Sequence, residues 1–214
     1  MLITYLLDYT FVIYLPQNIT IMKNKLLVIA TAIIMVFAGN TAKAQAFAAG
    51  TTHVSLGFGL GGYLSYASFG DFTSTPTLFL AVDHGIIDDL GPGSLGIGGF
   101  IAYKSAQYDY SYFGFTDSGK WTNFVIGARG TYHYYIDNDQ IDLYAGLSLG
   151  LILESYNYDS NVPGVDNDFY DYNDNFLYYA FSFGGKYMFT ESLGAFAELG
   201  YDIAWLKLGV TLAL

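Results

Sequence analysis

The chain has 214 residues, of which 53% are hydrophobic and 19% aromatic, while only 13% are charged. Eight basic residues stand against 19 acidic ones, for a formal net charge of −11, and cysteine is absent. This composition excludes several classes. A disordered chain has few aromatic residues, a disulfide scaffold or thiolate metal site needs cysteine, and a nucleic-acid-binding protein normally carries a basic face.

The N-terminal region has the pattern of a secretory signal peptide. A basic tetrapeptide beginning at Met22 precedes an apolar run of 12 residues, and a small-x-small cleavage site ends at Ala44. The apolar run is shorter than the roughly 20 residues of a transmembrane helix. Because residues 1–21 contain no lysine or arginine, we expect translation to start at Met22. The sequence therefore predicts an upstream segment 1–21, a signal peptide 22–44 and one mature domain, 45–214.

The mature region contains eight stretches in which apolar and polar residues alternate. Successive side chains of a strand point to opposite faces, so each stretch predicts a strand with one apolar face. The last stretch is the clearest, because Leu206, Leu208 and Val210 share one face while Lys207 and Gly209 share the other. The predicted strands are 51–62, 76–86, 94–106, 121–135, 141–155, 176–189, 194–202 and 205–214.

Short and long connections alternate between these strands. The short connections are 87–93, 136–140 and 190–193, and the long ones are 63–75, 107–120 and 156–175. The short ones contain turn residues, and we expect the long ones to be mobile loops. Tight turns at one rim and long loops at the other are typical of a transmembrane β-barrel. Only the connection near Ala204 departs from this plan, because it is short although it lies on the side of the long loops.

We expect the apolar faces to point outward, into lipid. The lumen of an eight-stranded barrel is about filled by side chains, and the small and polar faces fit it better than rows of leucine. Inward glycines leave room for Phe100, Tyr144 and Tyr178, and no large inward apolar patch is expected. Since lipid offers no partner to a sheet edge, the sheet must close. The predicted fold is all-β: an eight-stranded antiparallel up-and-down transmembrane β-barrel. The solvated polar face of a soluble sandwich would explain the alternation in a single strand. It does not explain eight such strands that follow a signal peptide.

Most charged residues of the predicted strands have inward parity. An unpaired buried charge is costly, so they predict an ionic network that plugs the lumen. We expect Arg129 near its centre, with Asp83 and Glu198 as the favoured partners, and Lys120 in a loop. The predicted network consists of Asp83, Lys104, Arg129, Asp142, Glu154, Lys186, Glu198 and Lys207.

Two further candidate sites have simpler explanations. His53 and Ser55 share a strand face, as a hydrolase pair would, but they lie near the turn rim, and we favour polar lumen lining. The 156–175 loop is rich in the oxygen ligands that Ca²⁺ prefers, but it lacks the glycine of an EF-hand loop. Its weak metal candidates are Asp166, Asp168, Asp171 and Asp174. A solvated acidic loop is the default interpretation, and no metal or cofactor is predicted.

Aromatic residues fall into two groups. Tyr158, Tyr170 and Tyr172 of the long loop suit contact with a partner or a glycan. Aromatic residues near strand ends predict girdles at the two membrane interfaces. The predicted girdle residues are Trp121, Tyr132, Tyr134, Tyr179, Tyr187, Phe189, Tyr201 and Trp205.

Several segments resemble small outer-membrane barrels of Bacteroidota-type bacteria. They are VIGARGTYHY at 125–134, DLYAGLSLG at 142–150, and DHG at 83–85 followed by IGG at 97–99. The broad group is the outer-membrane β-barrel domain superfamily, with OmpA-, OmpX- and OmpW-like proteins. The resemblance covers the whole mature chain and implies fold and location, but no reaction.

The C-terminus resembles the sorting signal that the outer-membrane assembly machinery reads. The pattern polar-x-Gly-x-x-apolar-x-aromatic corresponds to Lys207, Gly209, Leu212 and Leu214. The spacing is intact, but Leu214 stands where an aromatic residue is usual. The resemblance therefore implies the assembly machinery as a partner during biogenesis.

Together these observations predict a non-enzymatic, monomeric protein of the Gram-negative outer membrane, with periplasmic termini. It would contact outer-membrane lipid, bind no nucleic acid, and serve envelope integrity or surface interaction through its loops. A narrow passive channel for small solutes is the alternative function. A lipid-modifying hydrolase is a more distant one.

Overall fold

The computed structural model describes residues 47–62 and 72–214. The predicted upstream segment and signal peptide, residues 1–44, lie outside the described residues. In the described part, regular structure is antiparallel β-strand apart from one 3-10 turn at Asn167–Phe169. No helix among these residues is long and apolar enough to cross a membrane.

Nine strands follow one another along the described chain. They are β1 (Thr52–Leu60), β2 (Phe72–Ser74), β3 (Thr77–Ile87), β4 (Gly93–Tyr112), β5 (Phe115–Tyr134), β6 (Ile141–Ser160), β7 (Tyr172–Met188), β8 (Leu193–Tyr201) and β9 (Leu206–Ala213). Eight of them, β1 and β3–β9, correspond to the predicted strands. The short β2 lies in the predicted loop 63–75 and pairs only with β4.

The sheet closes on itself through its eight long strands. Each of them pairs antiparallel with both neighbours, and the pairing of β1 with β9 joins the first strand to the last. The pairing of β4 with β5 completes the ring. Closure leaves no open edge among the eight long strands around the apolar belt. The predicted eight-stranded antiparallel up-and-down barrel is therefore confirmed.

The two rims of the barrel differ in height. We call the rim with the connections 88–92, 135–140 and 189–192 the turn end. We call the opposite rim, with the connections 113–114, 161–171 and 202–205, the hairpin end. Strands β4, β5 and β6 each have 20 residues, whereas β1, β8 and β9 have eight or nine. One side of the wall therefore extends far beyond the other at the hairpin end.

The prediction of a long loop at 107–120 was wrong. Strands β4 and β5 continue across this segment and pair until Tyr112 and Phe115 meet. The two intervening residues, Phe113 and Gly114, both have positive φ, 45° and 84°, as a type I′ hairpin turn requires. Lys120 accordingly lies on a strand, where it is exposed, and not in a loop.

The predicted loop 156–175 is shorter than expected for the same reason. Strand β6 runs to Ser160 and β7 begins at Tyr172, so 161–171 is the actual connection. Both faces of these extensions lie above the apolar belt. The extensions consequently lack the row of leucines that identifies a strand in this sequence.

Burial follows the predicted parity of the strands. On β3, Thr77, Phe79, Ala81 and Asp83 are buried while the residues between them are exposed. The exposed positions form an apolar outer belt, as in transmembrane β-barrels. Members of this belt include Leu56, Phe58, Leu60, Leu78, Leu80, Val82, Ile97, Ile101, Phe124, Ile126, Leu143, Leu147, Leu149, Leu151, Phe181, Phe183, Leu199 and Val210.

The lumen contains an apolar layer, against the expectation of no large inward apolar patch. Ten buried side chains form one cluster in the lumen. They are Phe79, Ala81, Phe100, Ala102, Val125, Ile152, Tyr178, Ala180, Phe196 and Ile203. No strand contributes more than two of them, so the patch exists only once the barrel has closed.

Candidate functional site

A network of ion pairs bridges the lumen around Arg129. The guanidinium Nε of Arg129 lies 3.0 Å from Asp83 Oδ1, and its Nη2 lies 3.0 Å from Glu198 Oε2. These three side chains are at most 4% exposed. They come from β5, β3 and β8, so the contacts join separate parts of the wall. We call this set the central network.

A glycine lies between Asp83 and Arg129 in the wall of the barrel. Gly98 on β4 is the cross-strand neighbour of both Asp83 and Arg129. A Cβ atom at Gly98 would lie 1.8 Å from the carbonyl oxygen of Val82, so no larger residue fits without a shift of the backbone. Other inward glycines leave space for large side chains, since a Cβ at Gly184 would lie 2.3 Å from Cζ of Tyr144.

Glu198 connects the central network to the hairpin side of the lumen. The hydroxyl of Tyr144 donates to Glu198 Oε2 at 2.9 Å, and Lys207 Nζ contacts Glu198 Oε1. Lys207 Nζ also lies 2.5 Å from Asp202 Oδ2. The other oxygen of Asp202 accepts the hydroxyl of Tyr178 at 2.5 Å. Every charge in this chain of contacts is therefore opposed by another.

A second charged group lies at the turn end, and we call it the turn-end cluster. Asp142 Oδ1 lies 2.7 Å from His133 Nδ1, and Asp142 Oδ2 lies 3.6 Å from Lys186 Nζ. Lys186 Nζ is also 3.0 Å from His53 Nδ1. His133 Nε2 lies 2.9 Å from Thr131 Oγ1. All five side chains are buried.

The eight residues predicted as one network are therefore distributed over four places. Asp83, Arg129 and Glu198 form the central network, with Lys207 in contact with Glu198, and Asp142 and Lys186 belong to the turn-end cluster. Lys104 is buried apart from both, with its Nζ 3.5 Å from the carbonyl oxygen of Gly61. Glu154 lies at the hairpin end, where it accepts the hydroxyl of Tyr172 at 3.2 Å.

Sequence reasoning missed several members of these groups. Asp202 follows Glu198 and Gly200 with the same parity, so extending the alternation by one step would have found it. His133 and Thr131 share the parity of Arg129 on β5 in the same way. Parity gives the face of each residue, but not which charges meet across the lumen. That information depends on the register and closure of the whole ring.

The hydrolase interpretation of His53 and Ser55 finds no support in their contacts. The Ser55 hydroxyl donates to Thr211 Oγ1 at 3.0 Å, whereas His53 Nδ1 faces Lys186. A nucleophilic serine requires the histidine within hydrogen-bond reach. The two side chains point to different partners instead, as expected of polar lumen lining.

A chain of contacts runs from Thr131 through His133 to Asp142, in the order of a catalytic triad. The Thr131 hydroxyl, however, is enclosed. The ring of Phe47 stacks on His133 with centroids 3.7 Å apart and planes 11° apart. Thr131 has no exposed surface. A Cβ placed on Gly96 would lie 2.7 Å from both Thr131 Oγ1 and Phe47. The arrangement orients the imidazole, and a substrate carbonyl has no space beside the hydroxyl in this structure.

Both ends of the lumen are covered by chain segments. Phe47 is 1% exposed at the turn end, and its carbonyl oxygen accepts the hydroxyl of Ser94 at 3.0 Å. At the hairpin end, the 202–205 connection folds inward, so Ile203 and Ala204 have no exposed surface. The short connection near Ala204 thus acts as a cap.

Strands β4–β7 continue at the hairpin end as a sheet with two different faces. The face continuous with the lumen we call the aromatic face, and it contains Tyr108, Tyr110, Tyr112, Phe115, Asp117, Trp121, Glu154, Tyr156, Tyr158, Tyr172, Asp174 and Phe176. The opposite face we call the polar face, and it contains Gln107, Asp109, Ser111, Thr116, Ser118, Lys120, Thr122, Ser155, Asn157, Asp159, Asn173 and Asn175. The alternation of the sequence therefore places all the rings of this sheet on one face, together with three carboxylates, and leaves the opposite face without rings.

Ring contacts order the aromatic face. The Trp121 ring lies 4.7 Å from Tyr156 and 5.7 Å from Tyr108, and 6.1 Å from Phe72 of β2. The hydroxyls of Tyr108 and Tyr156 are 3.2 Å apart, and Trp121 Nε1 donates to the hydroxyl of Tyr172 at 3.3 Å. The assignment of Trp121 to an interfacial girdle was therefore wrong, because its parity directs it to the inner face.

Two acidic residues of the 156–175 region, Asp159 and Asp171, accept hydrogen bonds, and Asp117 on β5 accepts one from this region. Asp171 accepts the backbone N–H of Tyr158 at 2.7 Å, and Asp117 accepts the Tyr158 hydroxyl at 2.9 Å. Hydrogen bonds from Ser160 and Tyr158 lower the pKa of the Asp117 carboxyl. Across the described ranges, no three His, Asp or Glu side chains are grouped to hold a metal ion, and the four weak candidates do not converge.

Comparison with known proteins gives likenesses of structure only. No protein-family model matches the sequence, and no curated protein matches it. The attachment invasion locus protein Ail of Yersinia pestis, in complex with the heparin analogue sucrose octasulfate, is similar at 13% identity and TM-score 0.44, covering 77% of this chain and 95% of that one. The N-terminal β-barrel domain of Pseudomonas aeruginosa OprF is similar at 13% identity and TM-score 0.46, covering 78% and 98%. A further Ail structure gives 12% identity and TM-score 0.43, covering 77% and 95%. The barrel fold described above is established by the strand pairing of this chain itself.

Proposed function

We propose that the protein is a non-enzymatic outer-membrane β-barrel with a closed lumen, which acts at the cell surface through its hairpin end. The observation that carries the proposal is the central network. Arg129 reaches Asp83 on one side and Glu198 on the other, and Lys207 continues the contacts. An eight-stranded barrel has an interior only wide enough for side chains, so such a network fills its cross-section.

Conductance in a planar lipid bilayer tests the closed lumen. We expect no steady conductance from the purified protein, because the charges on opposite walls hold the lumen shut and its two ends are covered. A conducting porin inserted under the same conditions is the positive control. Reproducible single-channel steps whose size changes in an Arg129→Gly variant would overturn the proposal in favour of a narrow solute channel.

The apolar belt supports a place in the outer membrane. A cation facing lipid at mid-depth costs about 2–4 kcal/mol, and Arg129, Lys186 and Lys207 are all buried in the lumen. We expect the protein to fractionate with outer membranes and to migrate faster on SDS gels before boiling than after, because a closed barrel resists unfolding. Release by carbonate washing would contradict the assignment.

The topology supports periplasmic termini and an external hairpin end. Outer-membrane barrels have short periplasmic turns and longer extracellular segments. Here the short turns lie on the same rim as Phe47 and Leu214, and the tall hairpins lie on the other. This orientation displays the aromatic face outside the cell. Surface interaction, rather than permeation or catalysis, is the role that follows.

The C-terminal strand supports delivery by the outer-membrane assembly machinery. Lys207 and Gly209 face the lumen, whereas Leu214 is 66% exposed at the rim. Strand β9 pairs with both β1 and β8 in the closed barrel. Because closure pairs β9 on both sides, a receptor would have to read the proposed signal before the barrel closes. This signal consists of Lys207, Gly209, Leu212 and Leu214. Slower assembly of a Leu214→Asp variant than of a Leu90→Asp variant would support this role.

A further inference from the structure

Among the residues that the structure describes, little covers the aromatic face. The three-residue strand β2 pairs with β4 at the edge of this sheet and adds Phe72 to the face, where its ring lies 5.5 Å from Tyr108 and 6.1 Å from Trp121. Tyr110 is 62% exposed, Phe176 is 47% exposed and Tyr172 is 39% exposed. Exposed patches of this kind, rimmed by polar residues, mark interaction sites. Tyrosine and tryptophan are the residues that most often supply binding energy at such sites.

The rings of this face are held in place before any partner arrives. Trp121 and Tyr156 pack at 4.7 Å, and Tyr156 and Tyr172 pack at 5.2 Å. Hydrogen bonds fix the outer hydroxyls, because Tyr172 donates to Glu154 at 3.2 Å and Tyr158 donates to Asp117 at 2.9 Å. A surface ordered in this way loses little side-chain entropy when it binds. The face is therefore built as a rigid platform.

Charge identifies the chemistry of the partner. Residues 105–122 and 154–176 contain eight carboxylates and one cation, Lys120. Three of the carboxylates, Asp117, Glu154 and Asp174, lie among the rings, while Lys120 lies on the polar face. An anionic ligand or a second copy of this chain would meet like charge. Lysine and arginine side chains, in contrast, bind both to ring faces and to carboxylates.

We propose that the aromatic face binds a lysine- and arginine-rich polypeptide segment, with cationic groups over the rings of Trp121 and Tyr156 and ion pairs to Asp117, Glu154 and Asp174. The inference deepens the proposed function, and it rests on that function only in placing the face outside the cell. The polar face, which has hydroxyl and amide groups and no rings, serves as the internal comparison.

The test uses the full-length barrel in detergent micelles and a fluorescent peptide of alternating lysine, arginine and serine. We expect saturable binding that weakens as salt is raised, and no binding of a matched peptide with glutamate in place of the basic residues. The Tyr156→Ser variant is expected to lose about tenfold in affinity, whereas Asn157→Ser, its neighbour on the polar face, changes it less than about twofold. Unboiled mobility on SDS gels verifies that each variant is folded.

A second pair of variants separates recognition by the face from general attraction between charges. Glu154→Gln and Asp159→Asn remove the same charge from opposite faces of β6. We expect the loss of affinity to be confined to Glu154→Gln. Equal losses of affinity in the two variants, or no binding of the peptide at all, would overturn the inference. It would also be overturned if the barrel associated with itself, or if it bound a neutral oligosaccharide in place of the peptide. Binding to purified protein does not depend on orientation in the cell, so a hairpin end found in the periplasm would refute the proposed function and leave this result standing.

Discussion

Arg129 on β5 and Glu198 on β8 are joined across the lumen at 3.0 Å, although β6 and β7 separate their strands in the wall. Asp83 on β3 holds the same guanidinium from the other side. The closed ring thus has an internal brace that no pair of neighbouring strands provides. Ion pairs of this kind stabilise only as long as every charge keeps its partner.

Replacing Arg129 by leucine is expected to be strongly destabilising. The change leaves Asp83 without its cation and Glu198 with Lys207 alone, and breaking a buried pair in this way costs about 3–5 kcal/mol. Lys120→Leu is the matched control, because Lys120 is exposed on the polar face. Urea unfolding of the two variants in lipid vesicles, followed by tryptophan fluorescence, measures the difference. Equal midpoints would indicate that Arg129 is not braced in the lumen.

Removing the Phe47 ring is expected to open the turn end. The ring stacks on His133 and packs edge-on against His53, with centroids 5.1 Å apart. Truncation of a buried phenylalanine costs about 3–5 kcal/mol. We expect Phe47→Ala to lower the unfolding midpoint and to make His133 reactive toward diethyl pyrocarbonate. Phe113→Ala, at a fully exposed hairpin tip, is the control and should change neither. An unreactive His133 in a folded Phe47→Ala variant would contradict the capping role.

The sequence predicts the fold well because the barrel repeats one rule eight times. Each strand within the belt has an outward-facing apolar row, and glycine or polar residues opposite, so parity alone locates Arg129 and Glu198 inside. The rule fails above the belt. There the leucine row ends, and the continued pairing of Tyr108 with Gly119 has no apolar signature.

The candidate site is less predictable than the fold, because its contacts cross the lumen. Lys186 shares inward parity with Glu198, yet it lies against Asp142 and His53. Phe47 precedes the first strand and carries no alternation that would place it over His133. Contacts of this kind depend on the stagger between strands and on the path of the terminal segment. Neither can be read from the period of hydrophobic residues.

Two glycines at a similar depth of the wall are expected to differ in their tolerance of an added methyl group. Gly98 faces the lumen, where a Cβ would lie 1.8 Å from the backbone oxygen of Val82. Gly130 faces outward, and the nearest heavy atom to its Cβ would be Gly96 O at 4.0 Å. Overpacking costs about 1–3 kcal/mol, so Gly98→Ala should lower the unfolding midpoint. Gly130→Ala should stay within about 0.5 kcal/mol of the natural protein. A tolerated Gly98→Ala variant would show that the lumen is looser than described.

The orientation of the barrel is testable by labelling single cysteines, because the natural chain contains none. Phe113 lies at the tip of the tallest hairpin and is fully exposed, while Asp139 is exposed in a turn at the opposite rim. With the hairpin end outside, a membrane-impermeant maleimide added to intact cells should label the Phe113→Cys variant and leave Asp139→Cys unlabelled. Both should react after lysis, which shows that each thiol is accessible in the folded protein. Labelling of Asp139→Cys alone in intact cells would invert the topology and place the aromatic face in the periplasm. Labelling of neither would place both rims inside the cell envelope, and the proposed role at the cell surface would fail.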